Sequence, residues 1–538
     1  MLKRGIILLA LAATVAVPFI LRPRQTSPGQ ADDTLVIISP HNDAIRHEFS
    51  VGFREWYKAR TGRTVFLDWR NVGGTSDITR YLDGQYDASF RNLWTSVPGR
   101  SWSAAVQAAY KNPRLSPDAP APERQARAAF LGSDAGCGID LFFGGGPYDF
   151  VGHALSGHLV DSGLYQLHPG WFADGVIPRT YGGEDYWDSR HLWFGTVLSS
   201  YGIIYNRDSL RRIGFDREPD RWADLADPRF LGEIGLCDPT QSGAIATAFE
   251  NVIQQEIEAR LAARGAGEAR GGTGDAAAVR EGWLDGLRLL QLIGANARYF
   301  TDTSQKPPID VASGDCAAGM CIDFYGREQQ EAVRRRNAGD RVGYVSPEGG
   351  SAYSVDPIAL LRGAPNRAVA VAFMEYVLSL DGQKLWDFRV GTPGGPVEFA
   401  LRRLPVRRDF YSHGEWLQYR SDPGANPYSQ GKLLVHHDEW TGPLFLEMEF
   451  IIRVMDLDTH PELARAWRAV IASPEPRRAR ALAVMQDLSR VTYDQALGRI
   501  TTAIKSKNKV DQVEMARDLG EWFRGNYARA ERIALGGE

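Results

Sequence analysis

The sequence predicts an α/β protein of two lobes with a ligand cleft between them, extended at its C-terminus by a mainly helical segment. Three observations carry that expectation. Short apolar runs such as Leu35-Val36-Ile37-Ile38 alternate with amphipathic stretches of helical period, the rhythm of buried parallel strands and their covering helices. The chain has 538 residues, too many for one ordinary core, so two or more packed lobes follow. Four times a strand ends in a short loop rich in Gly, Ser, Thr or Asn that opens a helix or a tight turn.

The chain begins Met1-Leu2-Lys3-Arg4, continues through an apolar stretch from Gly5 to Leu21, and then turns polar from Arg22 to Asp33. A basic region ahead of an apolar one matches an export signal. Residues 1–33 therefore read as a signal peptide or an N-terminal anchor with its linker. The apolar stretch sits at the short end of the about 17–25 residues that span a bilayer, so cleavage and retention both stay open. Either outcome places the rest of the chain in the periplasm, free or held to the inner membrane. Cys137, Cys237, Cys316 and Cys321 are an even number in an oxidising compartment, and Cys316 and Cys321 are close enough in sequence to bridge. Buried free thiols are the other reading.

Lobe one is expected over residues 34–200. Leu35–Ile38 is a strand, the following helix carries Ile45, Phe49, Phe53 and Trp56 on one face, and Thr64–Trp69 is a second strand. The loop Asn71 to Asp77 opens another helix. Residues 85–136, with Pro113, Pro117, Pro120 and Pro122, read as an insertion of irregular structure around short helices. The strand Ile139–Phe143 restores the rhythm and ends in Gly144-Gly145-Gly146. A long β segment from Trp193 to Tyr205 passes into lobe two, residues 201–349, where Glu233–Cys237 is a strand ending in Asp238-Pro239-Thr240-Gln241-Ser242-Gly243. The Gly/Ala-rich stretch from Arg264 to Ala278 reads as a surface loop. Val342–Val345 begins the return crossing, residues 350–410 rejoin lobe one, and residues 411–538 form the helical extension, expected to brace lobe one, with docking of a partner as the alternative, because its apolar positions need burial.

In open α/β sheets, ligands bind outside the carboxyl ends of the strands. The loops Ser39–Asn42, Gly73–Ser76, Gly144–Gly146 and Thr240–Gly243 should therefore share one cleft. Helix N-termini carry unsatisfied N–H groups and partial positive charge, which favours an anionic or oxygen-rich ligand. The expected ligand-binding residues are Ser39, His41, Asn42, Gly74, Thr75, Ser76, Gly144, Gly145, Tyr201, Thr240, Ser242, Gly243, Asp323 and Tyr325.

Other functions find less support. The formal net charge of −4 offers no basic field for nucleic acid. His47-Glu48 lacks the second His of a zincin helix, no nucleophile elbow surrounds Ser76, Ser242 or Ser351, and no Gly-Lys-Ser/Thr loop is present. The expectation is a binding protein without catalytic residues or cofactor, with an envelope enzyme on the same fold as an alternative. His436-His437-Asp438-Glu439 reads as a solvated turn.

Ser39-Pro40-His41-Asn42, Tyr201–Asn206, Trp222–Gly232, Asp238–Gly243, Pro347–Tyr353 and Gly382-Gln383 follow one another in an order that resembles the ferric-iron-type branch of periplasmic solute-binding proteins. The resemblance runs from about residue 34 to about 410. It implies a type-II periplasmic-binding-protein-like fold, a monomer closing on a small-molecule or ion ligand, and the permease subunits of an ABC transporter as partners. In that branch iron is held by a His, a carboxylate and paired tyrosines. His41, Asp77 and Tyr325 match those places, but Asp323-Phe324-Tyr325 supplies one phenol where the branch has two. Fe³⁺ is thus the alternative ligand, and a phosphorylated or carboxylated small molecule the main one.

Overall fold

The computed structural model describes residues 28–264, 273–336, 339–429, 431–506 and 508–537. Residues 1–27 of the expected export signal and residues 265–272 of the expected Gly/Ala-rich loop lie outside the described residues, while residues 273–278 of that stretch open a helix.

Two sheets organise the molecule. The first contains β1 (Asp33–Ile38), β2 (Val65–Arg70), β3 (Leu141–Phe143), β4 (Leu159–Val160), β7 (Phe194–Ser199), β13 (Ser354–Leu361) and β14 (Leu404–Pro405). Its order is β14-β7-β13-β3-β1-β2, with β4 beside β13. β1 lies parallel to β2 and β3, whereas β13 runs antiparallel to β3 and β7. The second sheet has the order β10-β9-β11-β8-β12 and contains β8 (Tyr201–Asn206), β9 (Ile234–Cys237), β10 (Ala297–Thr301), β11 (Ala318–Ile322) and β12 (Val342–Val345). A small hairpin, β5 (Thr180–Tyr181) with β6 (Glu184–Asp185), stands apart from both.

The chain crosses between the sheets three times. β7 passes into β8 through Ser200, so the single long β segment expected from 193 to 205 is two strands, one in each sheet. β12 leads back to β13. The third crossing follows the 3₁₀ turns after β14: Leu434 N–H donates to Ser351 O, His436 N–H to Gly182 O, and His437 N–H to Gln254 Oε1.

Helices cover the lobe-one sheet: α1 (Asp43–Thr61), α2 (Thr75–Thr95), α3 (Ala104–Tyr110), α4 (Ala121–Leu131) and α5 (Pro147–Ser156). In α1, Ile45, Phe49 and Phe53 are buried, while Trp56 is only partly so. The insertion opens on the regular helix α2, which continues to Thr95, and is pinned by Tyr110 Oη donating to Asp87 Oδ1 at 2.6 Å. In lobe two, α6 (Gly243–Ala263) and α7 (Thr273–Ala295) pack together, while α8 (Lys306–Ser313) and α9 (Asp323–Arg335) pack on each other and on strands β8 and β11, around a separate small core with Val311 and Val333. α10 (Arg367–Leu378) and α11 (Leu380–Asp387) return to lobe one.

The C-terminal helices α12 (Phe445–Ile452), α13 (His460–Ala472), α14 (Arg477–Met485) and α15 (Lys509–Leu535) brace lobe two, not lobe one. Phe249, Val252 and Leu287 share a core with Met448, Ile451, Leu463, Leu519 and Phe523. The cause is the apolar face that α6 and α7 leave uncovered. Polar contacts fix the register: Trp283 Nε1 donates to Val491 O at 3.0 Å, and Trp467 Nε1 to Asn296 Oδ1 at 2.8 Å.

Two further expectations are corrected. All four cysteines are free thiols, three of them buried. Cys321 sits within β11 and Cys316 just before that strand begins, and extended backbone, rising about 3.3 Å per residue, carries the two apart. Of the expected solvated turn, Asp438 and Glu439 are exposed, but the His436 side chain is only 9% exposed at the third crossing, 3.6 Å from Glu184 Oε1 of the hairpin and 3.4 Å from Glu250 Oε1 of α6. A run of polar letters conceals burial when the partners that neutralise them lie far away in sequence.

Candidate functional site: the interlobe cleft

The cleft between the sheets has a volume of about 360 Å³ and is lined from both lobes. Three helices point their N-termini at it. Asn42 caps α1, its Oδ1 accepting from Ile45 N–H at 3.0 Å; Gly74 precedes α2; and Ser242 caps α6, its Oγ accepting from Ile245 N–H at 3.4 Å. Each first turn offers N–H groups that no helical carbonyl reaches. The lobes meet here. A methyl group on Gly74 would lie 3.1 Å from Gln241 O, and one on Gly243 would lie 3.4 Å from Thr75 Oγ1.

Of the expected ligand-binding residues, His41, Asn42, Gly74, Thr75, Gly145, Tyr201, Ser242, Gly243 and Tyr325 line the cleft. The others support it or lie aside. Ser39 is fully buried and its Oγ accepts from His41 N–H at 3.1 Å. Gly144 underlies the imidazole, where a methyl group would come within 2.4 Å of His41 Nε2. Thr240 Oγ1 donates to Asp238 Oδ1 at 2.7 Å. Ser76 is not among the lining residues. Asp323 is fully buried against Arg327 Nη2 at 2.8 Å, and burial pushes its carboxyl pKa up. Asp77, the carboxylate of the iron alternative, accepts from Gly74 N–H at 3.2 Å and pairs with Arg80, so it is spent on its own loop.

The charged centre of the cleft was not among those residues. Arg403, 2% exposed, donates through Nη1 to Asp356 Oδ2 and through Nη2 to Ser199 Oγ, each at 2.6 Å. Its guanidinium lies over the Phe324 ring, 4.5 Å from the centroid. Arg403 Nε is buried without a protein partner among the described residues. Asp356 also faces His41 Nε2 at 3.1 Å. Burial works to raise the Asp356 pKa, but Arg403 and the His41 hydrogen bond outweigh it and hold it down at about 2. With the carboxylate ionised, His41 Nε2–H is the donor and Nδ1, buried and unpartnered among the described residues, the acceptor. Burial pushes the His41 pKa down. It pushes the Tyr325 phenol up to about 12, against the pull of Arg403.

Sequence signals for this centre existed. Asp356 is a lone carboxylate within the otherwise apolar strand Val355 to Leu361, and such a residue is buried only when paired. Arg403 directly precedes the apolar pair Leu404-Pro405, but its neighbour Arg402 looks identical in sequence.

Two α/β lobes joined by crossing strands around one cleft are the type-II periplasmic-binding architecture. Residues 139–402, just under half of the chain, match the family model described as bacterial extracellular solute-binding protein, a span that lies within the region of the resemblance read from the sequence. An uncharacterised protein of Haemophilus influenzae is 24% identical over 246 residues, which cover 46% of this chain and 60% of that one. Iron uptake protein A2 of Synechocystis is 27% identical over 240 residues, 43% of this chain and 58% of that protein. The chain thus spans about three fifths of the length of the curated relatives it matches. The solved periplasmic binding protein P5PA is similar at 16% identity and a TM-score of 0.47, over 76% of this chain and 94% of that one.

Proposed function

We propose that the protein is the solute-capturing component of an ABC importer in the periplasm, and that its cleft takes a small oxygen-rich anion such as a phosphorylated or carboxylated metabolite. The observation that carries this reading is Arg403: a buried guanidinium facing the same cleft as the N-termini of α1, α2 and α6. Guanidinium forks and helix N-termini recognise the same chemistry, oxygens carrying negative charge. Ser199 bonds Arg403, and Ser242 caps α6, so neither hydroxyl is paired with a base as a nucleophile would be.

Ferric iron is the second reading. It is favoured by the similarity to an iron uptake protein and by the presence of His41 and Tyr325 in the cleft. Against it stand a guanidinium already paired with Asp356, a phenol that burial keeps protonated, and Asp77 lying outside the cleft lining. Hard Fe³⁺ prefers several anionic oxygens. Thermal melts with inorganic phosphate, a hexose phosphate, citrate and Fe³⁺ separate the two, because a ligand that binds only the folded state must raise the melting temperature. Stabilisation by an anion without iron supports the proposal. Stabilisation by Fe³⁺ alone refutes it.

A further inference from the structure

A cluster of potential metal ligands lies within lobe one, away from the cleft. Asp83 sits on α2, His153 on α5, and His158 just before β4. His153 Nδ1 and His158 Nδ1 face each other at 2.9 Å, Asp83 Oδ1 lies 3.7 Å from His158 Nδ1, and the three ligand atoms all fall within 4.8 Å of one another. We propose that Asp83, His153 and His158 form a binding site for a first-row divalent cation, Zn²⁺ foremost, that ties α2 to α5.

The hydrogen bonds around the cluster orient its lone pairs. Thr79 Oγ1 donates to Asp149 Oδ1 at 2.8 Å and therefore accepts from His153 Nε2–H at 3.2 Å. A neutral imidazole protonated at Nε2 has its lone pair on Nδ1, turned toward His158. A carboxylate holding a ligating His through its other ring nitrogen is the usual support of a metal site, here relayed by a hydroxyl. Both imidazoles are almost completely buried, which favours the neutral, ligating form. Asp83 divides its oxygens: Oδ1 faces the histidines, while Oδ2 lies 3.6 Å from Lys111 Nζ.

The dimensions suit the metal. Zn–N bonds of 2.0–2.1 Å in a tetrahedron set nitrogen ligands about 3.3 Å apart, so the two imidazoles need to part by a few tenths of an ångström and turn until their lone pairs converge on the ion. His158 then moves its proton from Nδ1 to Nε2, a tautomer change with no net proton release. Asp83 is 40% exposed, which gives the ion an entrance and water a fourth position. Two imidazoles and a carboxylate suit zinc and its neighbours better than magnesium or calcium.

The test uses the full chain, stripped with chelator and titrated with Co²⁺ as a spectroscopic probe, then with Zn²⁺. The expected result is one equivalent of Co²⁺ giving the visible absorption of a tetrahedral nitrogen–oxygen site, displaced by Zn²⁺, with a raised melting temperature. Asp83→Asn, a half-exposed change that leaves the core intact, should weaken binding by at least about 10–100-fold, the loss seen when outer-shell partners alone are removed. Absence of a Co²⁺ spectrum at one equivalent overturns the proposal, as does equal affinity in Asp83→Asn, which would place the metal elsewhere.

Discussion

Arg403 and Asp356, forty-seven positions apart, meet at 2.6 Å beneath the interlobe cleft, and both belong to the part of lobe one built after the chain has returned from lobe two. The pair couples ligand chemistry to stability. Arg403→Met should abolish anion-induced stabilisation and also destabilise the ligand-free protein, by less than the about 3–5 kcal/mol of a fully buried pair because Asp356 is 18% exposed and keeps its His41 contact. Denaturant melts with and without ligand separate the two effects. Because the Asp356 pKa is depressed to about 2, the pair's contribution is present above the ordinary carboxylate range and is lost as pH falls through about 2.

Two substitutions rank the ligand readings. Ser242→Asp places a negative charge at the N-terminus of α6, where the anion is expected, and should weaken binding by tenfold or more. Tyr325→Phe should cost one hydrogen bond, on the order of 1–3 kcal/mol. Isothermal titration of both variants checks the order, and a metal site would reverse it.

His436 makes stability depend on alkaline pH. Burial works against its charge, but Glu184, Glu250 and Asp438 outweigh that and raise its pKa to about 10. A raised histidine stabilises fully below its unfolded pKa, about 6.5, and loses that contribution as pH climbs through about 10. Burial also raises Glu184 to about 7, so its ionisation costs stability over the range just below. The melting temperature of the native chain should therefore fall between pH 7 and 10, and His436→Gln should flatten that fall. Parallel curves for the two proteins would contradict the assignment.

Removing residues 438–538 should leave lobe two without its outer layer. Trp283, Leu287 and Phe249 would be uncovered, and Gln291 would lose both the Met485 carbonyl and the Tyr527 hydroxyl. The shortened chain should be insoluble or bind apolar dye strongly, whereas a tail that merely docks a partner would be removable without that change.

Much of this organisation was legible in the sequence because it is local. Strand-loop-helix junctions at Asn42, Gly74 and Ser242 announce themselves through capping residues and apolar periodicity, and all three line the cleft. Arg403 and His436 were not legible, since their burial is created by partners 47 and 186 or more residues away. The same holds for the C-terminal helices: their apolar faces showed that they pack, but only the exposed flank of α6 and α7 determines where.

The central claim is that the cleft holds an oxygen-rich anion, and native mass spectrometry with elemental analysis of protein gently purified from its native source tests it most directly. The account predicts a bound mass of a phosphorylated or carboxylated metabolite that is lost in Arg403→Met, without stoichiometric iron. One equivalent of iron per chain, with a phenolate charge-transfer colour that Tyr325→Phe bleaches, would contradict it.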